Sequence, residues 1–366
     1  MGGAAADVSA HSAPLFATLG HQESWSQIAA MLAAMRPSAQ RPLTDTELRE
    51  IVPWIPPRTV SRLEVAAARD AAPVHGIYIE TFITPTELAL RPTRRVLEKV
   101  RDGIRAAERE GVRVATLGGF TSILLEAMGA EPSSRLALTT GNTLTAALIV
   151  RGVERAAQLM GRTLDRETLL IIGASGDVGS ACARFMAGRT RRLLLAARNW
   201  ERLDREAAQL RKFADVHAST NVAELLGQAT LVIAAASTAE PAFALATCAP
   251  GAIVCDAGYP KNIGAAGDAR LQRVFQGGMG TLAGGMKSRD GFIEQFYRFP
   301  AANAVHGCMI EGAVLAMAGR FEPFSSGRGR ITPARLEEMW QMAAACGVSL
   351  APLFNSTGLW PEEPTA

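Results

Sequence analysis

No apolar run in the chain approaches the roughly 18 residues that a membrane span needs. The start, Met1-Gly2-Gly3-Ala4-Ala5-Ala6-Asp7, lacks the basic residues and apolar core of a secretion signal, and Ala6 stands where a myristoylation pattern wants Ser or Thr. The five cysteines, Cys182, Cys248, Cys255, Cys308 and Cys346, are odd in number, widely spaced and without a C-x-x-C pair. Neither a disulfide framework nor a zinc site is indicated, and the cytoplasm is the expected compartment. The five histidines are scattered, with no H-E-x-x-H and no G-x-S-x-G, so metal hydrolysis and serine hydrolysis find no support. A net charge of +3 is too small to argue for nucleic acid. Arginines do gather between Arg91 and Arg109, but interleaved Glu98, Asp102, Glu108 and Glu110 favour a solvated helix face over a dock for an acidic partner.

At 366 residues, 48% hydrophobic and 20% charged, the chain can bury a full core and is expected to form two domains, or two and a small appendage. Its most informative segment is Leu169-Leu170-Ile171-Ile172-Gly173-Ala174-Ser175-Gly176-Asp177-Val178-Gly179. Four apolar residues without alternation suit a parallel strand covered on both faces. Glycines at G-x-x-G-x-x-G spacing before a helix let backbone N–H groups approach the oxygens of a dinucleotide pyrophosphate. About twenty residues on, the strand Leu193 to Ala197 ends in Arg198 and Asn199, where an NAD-binding protein would place an acid for the ribose 2′-hydroxyl. That exchange points to NADPH. Gly173, Ser175, Gly176, Asp177, Val178, Gly179, Arg198 and Asn199 are thus candidate cofactor residues. Later strands at Leu231 to Ala236 and Ala252 to Asp256 add Ser237, Gly258, Tyr259 and Pro260, since ligands bind beyond the carboxyl ends of parallel strands.

The expected fold class is α/β, a Rossmann-type doubly wound parallel sheet with an N-terminal α/β substrate domain and a helical C-terminal segment. Residues 1–60 read as a partly helical lead-in, 61–164 as the substrate domain, 165–290 as the nucleotide domain and 291–366 as a mostly helical segment. In the substrate domain a strand from Val74 to Phe82 precedes an amphipathic helix, Thr93 to Glu110, closed by Gly111. Two strands then run into Gly/Thr/Ser turns, Gly118-Gly119-Phe120-Thr121 and Thr140-Gly141-Asn142, which can offer donors to a ligand. Gly119, Phe120, Thr121, Thr140 and Asn142 are the substrate candidates, and a helix from Leu144 to Leu159 leads into the nucleotide domain.

Cys308 follows Gly307 and opens a helix, Met309 to Ala318. Aligned peptide dipoles at that point favour a thiolate, lowering its pKa and supplying a nucleophile. Glu311 can cap the free N–H groups there, although it also opposes the thiolate. Free cysteine is also among the most buried residue types, which suits Cys182, Cys248 and Cys255. His306, two residues ahead of Cys308, is a weaker candidate for its base.

Taken in order, Gly118 to Ile123, Thr139 to Thr143, Gly173 to Ala181, Ala197 to Leu203, Gly258 to Asn262 and Cys308 give the chain a resemblance to the long-chain acyl-acyl carrier protein reductases of cyanobacteria. The resemblance runs from about Phe16 to Pro352. It implies NADPH-dependent reduction of a fatty acyl thioester, on acyl carrier protein or coenzyme A, to an aldehyde. The implied acylated nucleophile falls on Cys308, and Tyr259, Pro260 and Lys261 fall beside the nicotinamide, with Tyr259 and Lys261 as further catalytic candidates. Mg2+ would act at most by neutralising phosphates, without a dedicated protein site, and the aldehyde would be either released or handed to an aldehyde-consuming enzyme. The chain departs from the family pattern in its Ala-rich start, in the glycine-rich stretch Gly277 to Gly285, and in His306 where the family carries an apolar residue.

Two rivals remain at this stage. Gly141-Asn142-Thr143 resembles an element of shikimate-type dehydrogenases, but Leu144 stands where their proton-transferring Asp would be. A non-catalytic NADPH-binding regulator would treat Cys308 as an ordinary core residue.

Overall fold

Apolar runs without alternation become the inner strands of two largely parallel sheets, as burial on both faces requires. A computed structural model describes residues 13–22, 24–36, 41–83, 94–119, 121, 135–238, 240–258, 261–264, 273–327 and 329–360. The first sheet contains β1 (Phe16–Gly20), β2 (Arg58–Val65), β3 (Val74–Glu80), β4 (Val114–Leu117), β5 (Ala137–Thr139) and β13 (Met286–Ser288), in the order β13-β2-β3-β1-β4-β5. Strands β3, β1, β4 and β5 are parallel, while β2 and β13 extend the edge antiparallel. The helix Arg94–Arg109 lays Val96, Leu97, Val100 and Ile104 against this sheet.

The second sheet contains β6 (Thr168–Ile172), β7 (Arg192–Ala196), β8 (Val216–Ser219), β9 (Leu231–Ala234), β10 (Ile253–Asp256) and β11 (Val274–Gln276). All are parallel, in the order β8-β7-β6-β9-β10-β11. This is the doubly wound dinucleotide topology, and its direction reverses between β6 and β9, the position where such sheets bind ligands. Between the sheets runs the helix Asn142–Leu159. Ala146, Ile149, Val150 and Val153 on it belong to the core of the second sheet, and Leu144 and Leu148 to a core shared with the first.

Two sequence expectations need correction. Phe16–Gly20, read as part of a lead-in, is a central strand of the first sheet, paired on both sides by β3 and β4. A five-residue Phe-Ala-Thr-Leu-Gly run carries little strand signal of its own, and its burial comes from neighbours remote in sequence. The segment from 291 onward is likewise no separate helical appendage. It contains β14 (Ala304–His306) and β15 (Val348–Leu350), which flank β12 (Met279–Leu282) in a three-stranded sheet. Its helix Gly307–Met317 packs on the first sheet, where Thr18 Oγ1 donates to Met309 O at 2.8 Å and Gly312 N–H donates to Thr116 Oγ1 at 2.9 Å. Its helix Pro333–Ala345 packs on the connecting helix, with Glu337 paired to Arg151 at 2.6 Å. Among the described residues no helix is long and apolar enough to cross a membrane.

Candidate active site

The carboxyl ends of both sheets open into one cleft. Gly20 at the end of β1, His21 after it, and Gly118 and Gly119 after β4 form one wall. Ala235 to Ser237 after β9, Ala257 and Gly258 after β10, and Gly277 and Gly278 after β11 form the other. Cys308 lies between them at the start of its helix, half-buried and lining the cleft.

The cradle of the second sheet fits a dinucleotide. Gly173 has φ +87°, and a Cβ there would stand 2.6 Å from Ala235 O; one on Gly179 would stand 2.2 Å from Gly173 O. Side chains at these positions would break the strand-turn-helix contact, and their absence brings the backbone to the surface. The helix Asp177–Met186 has no side-chain cap at Gly176, so its positive end is available to an anion. Ser175 and Val178 are half-buried at this entrance. Asp177 is engaged elsewhere: its carboxylate accepts from Gly329 N–H at 3.0 Å and from Asn142 Nδ2 at 2.9 Å. The expected cofactor residue Asp177 and the expected substrate residue Asn142 therefore hold the two halves of the molecule together, with Asn142 also on the cleft wall. Arg198 is exposed and bridges to Ser237 O at 3.2 Å, while Asn199 caps the next helix through Arg202 N–H at 2.9 Å.

Beyond β10, the Asp256 carboxylate accepts from the N–H groups of Gly258, Asn262 and Ile263 at 3.0 to 3.1 Å. The Asn262 amide brackets Ala236 with two bonds of 2.8 Å. This network, which the sequence did not reveal, fixes Gly258 and Lys261 at the cleft. Lys261 reaches back to Asp256 O at 3.5 Å. Tyr259, Pro260 and Phe120 lie outside the described residues. Thr121 and Thr140 line no part of the cleft. Thr121 donates to Gly118 O at 3.0 Å, and Thr140 Oγ1 accepts from Asn142 N–H at 3.3 Å, so both stabilise their turns.

Glycines also shape the approach to Cys308. Gly141 has φ +74°, and a Cβ on it would lie 2.5 Å from Cys308 Cα; Gly119 has φ +57° and sits against His21. The Gly119 N–H and the N–H of Cys308 itself both stabilise the sulfur anion. The expected low thiol pKa is nonetheless not met. Burial pushes the Cys308 thiol up to about 11, because removal of bulk water outweighs two backbone donors and the carboxylate of Glu311 adds to the rise. Glu311 does not cap its own helix either. Fully buried, it accepts from Leu144 N–H at 2.9 Å, Ser325 Oγ at 2.7 Å and Thr139 Oγ1, and so caps the connecting helix instead. His306 packs edge-on against Phe299 at 5.2 Å, and burial, followed by the Lys261 charge, lowers its pKa to about 3. Three titratable cleft residues escaped the sequence reading: His21, Tyr78 and Tyr297. His21 follows directly on β1, a weak signal, whereas Tyr297 reaches Tyr78 across 219 positions and left none.

Known proteins were compared with this arrangement. The long-chain acyl-[acyl-carrier-protein] reductase of Synechococcus elongatus is 31% identical over 314 residues, covering 80% of this chain and 87% of that one. The chain belongs to the long-chain acyl-acyl carrier protein reductase family. As a member it is an NAD(P)-dependent oxidoreductase, in keeping with the dinucleotide cradle. The aminotransferase PigE of Serratia is 26% identical over 249 residues, 65% of this chain but 28% of that protein. Among solved structures, L-tryptophan dehydrogenase from Nostoc punctiforme aligns over 91% of this chain and 79% of its own, at 12% identity and a TM-score of 0.39. The nucleotide-binding domain of glutamyl-tRNA reductase from Thermoplasma volcanium aligns over 36% of this chain and 83% of its own, at 18% identity and a TM-score of 0.28. No family model matches the sequence.

Proposed function

We propose that this reductase converts a fatty acyl thioester, carried by acyl carrier protein or coenzyme A, into a fatty aldehyde through an acyl-enzyme on Cys308. The observation that carries the reading is the position of Cys308, with Gly119 N–H directed at its sulfur, in the one cleft onto which the dinucleotide cradle also opens. Sγ attacks the acyl carbon, the S–C bond to the carrier breaks, and the acyl group stays on the protein. NADPH, when bound, supplies the hydride that turns an acyl thioester into an aldehyde. Gly173, Gly176 and Gly179 would admit its pyrophosphate and Arg198 its 2′-phosphate, while Ser237, Gly258 and the Tyr259-Pro260-Lys261 loop would border its nicotinamide. Gly119 would then serve twice, holding the sulfur anion before acylation and after aldehyde release.

A shikimate-type alternative has no acid to offer. Leu144 is fully buried and hydrocarbon, and Lys99 donates to Phe82 O at 2.6 Å and Val52 O at 3.1 Å beneath the first sheet. The test needs no cofactor. With a fatty acyl thioester and no NADPH, intact-mass and peptide spectra should show one acyl group on Cys308 and none on Cys308→Ala. An unmodified wild-type protein, or an adduct elsewhere, would overturn the reading.

A further inference from the structure

A buried acid reaches the cleft through two tyrosines, and the acylation step needs what such a chain provides. Glu80, at the end of β3, is fully buried. Its Oε2 accepts from Gln22 Nε2 at 2.9 Å and from the Tyr78 hydroxyl at 3.4 Å, and its Oε1 accepts from Phe82 N–H at 3.0 Å. The Tyr78 hydroxyl in turn lies 2.6 Å from that of Tyr297. Either hydroxyl can donate across this pair; with Tyr78 donating to Glu80, Tyr297 donates to Tyr78 and the chain runs Tyr297 to Tyr78 to Glu80. Both tyrosines line the cleft with Cys308.

The surroundings are built for this arrangement. A Cβ on Gly20 would fall 1.8 Å from the Tyr78 hydroxyl, so glycine there makes room for it. Phe82, two residues past Glu80, holds φ +51°, rare for a bulky side chain. The Glu80 carboxylate on its N–H and the Lys99 ammonium on its carbonyl secure that conformation.

We propose that Tyr297, Tyr78 and Glu80 form the proton relay for acylation of Cys308. The inference rests on the acyl-enzyme reading above. As Sγ bonds to the acyl carbon, the thiol proton passes to Tyr297 Oη, the Tyr297 proton to Tyr78 Oη and the Tyr78 proton to Glu80 Oε2. As the carbon–sulfur bond to the carrier breaks, the same shifts run in reverse and deliver one proton to the departing thiolate. No electrons change hands, and the proton count on the protein is restored. Glu80 acts through the tyrosines and touches no reacting atom, so it is a positioning residue, while Tyr297 lines the cleft together with Cys308.

Charges around the chain suit the task. Burial pushes Glu80 up to about 7, against the pull of Gln22, Phe82 N–H, Tyr78 and the Lys99 charge. Tyr297 is raised by burial, then by the Glu80 charge, and in smaller measure by a Cys308 thiolate, so Tyr297 senses both the acid and the sulfur. The other titratable groups facing the cleft are Lys261, His21 and His306. His21 is lowered to about 4 mainly by burial and His306 to about 3 by burial and then the Lys261 charge, so both imidazoles are neutral and weakly basic near pH 7.

Rapid-quench mass spectrometry of acyl-Cys308, with decanoyl-coenzyme A and decanoyl carrier protein and without NADPH, tests the relay across pH 5.5 to 9.5. The wild-type acylation rate should climb through an inflection near pH 7 and then flatten. Glu80→Gln and Tyr297→Phe should each slow acylation at pH 8 by about 100-fold and erase that inflection. Tyr78→Phe, which keeps the ring packing, serves if Glu80→Gln fails to fold. A slower variant that keeps the inflection, or Tyr297→Phe acylating at the wild-type rate, overturns the relay. Absence of any adduct in the wild type overturns the acyl-enzyme reading instead.

Discussion

At Cys308 two local effects compete, and their sizes decide the resting state. The helix start and two backbone donors favour the thiolate, while burial favours the thiol and prevails. On the proposed acyl-enzyme route a neutral resting thiol would have to lose its proton as substrate binds, which is the step assigned to the relay. Arg198 is the other residue whose role is read one position at a time. Exposed at the mouth of the cleft, its guanidinium can form charge-assisted bonds with a 2′-phosphate that a ribose hydroxyl cannot match. Arg198→Ala should weaken NADPH by roughly 10- to 100-fold and leave NADH within about threefold in fluorescence titrations. Equal losses for the two cofactors would remove the preference for NADPH.

Among elements, the junction of two helix starts determines where the sulfur stands. Gly141 caps the helix Asn142–Leu159 in the left-handed region and touches Cys308 Cα, and Glu311 from the cysteine helix supplies the acceptor that Leu144 N–H would otherwise lack. A carboxylate at the start of an 18-residue helix also meets its positive dipole end. Glu311→Ala strands three donors in a dry interior and should cost about 3 to 5 kcal/mol in urea unfolding. Glu311→Gln, which retains acceptor capacity, should lose less than half of that. A harmless alanine would show that the helices register without this carboxylate. Sequence periodicity located both helices to within about two residues, yet assigned Glu311 to the wrong one, because the partner of a buried acid is set by packing.

For the whole molecule, two histidines with lowered pKa values couple stability to acid. His21 and His306 have pKa values lowered to about 4 and about 3, chiefly by burial, against an ordinary value of 6.5. Between those values and 6.5 the unfolded chain binds protons that the folded one refuses, so stability falls as pH drops through this window. Glu80, raised to about 7, acts in the opposite sense, since the folded state holds its proton up to a higher pH than the unfolded chain. Asp256 and Glu311, also raised by burial, act in the same sense as Glu80. The histidine contribution therefore shows as a difference between variants: the stability of the wild type relative to His21→Gln should fall by about 2 to 3 kcal/mol from pH 6.5 to 4.5. A difference that does not change with pH would contradict the burial of the His21 ring.

The nucleotide half was legible in the residues because its signals are local. An apolar run, three glycines and a helix start are fixed within a dozen positions, and steric rules at Gly173 and Gly179 hold whatever surrounds them. Cys308 also declared itself locally, as a thiol behind a glycine at a helix start. The sign of its pKa shift, the central place of Phe16–Gly20, the use of Asp177 as a clamp and the Glu80-Tyr78-Tyr297 chain depended on the tertiary structure. Each is governed by desolvation or by contacts between segments distant in sequence. Burial and long-range pairing are properties of the packed whole, and no window of neighbouring residues contains them.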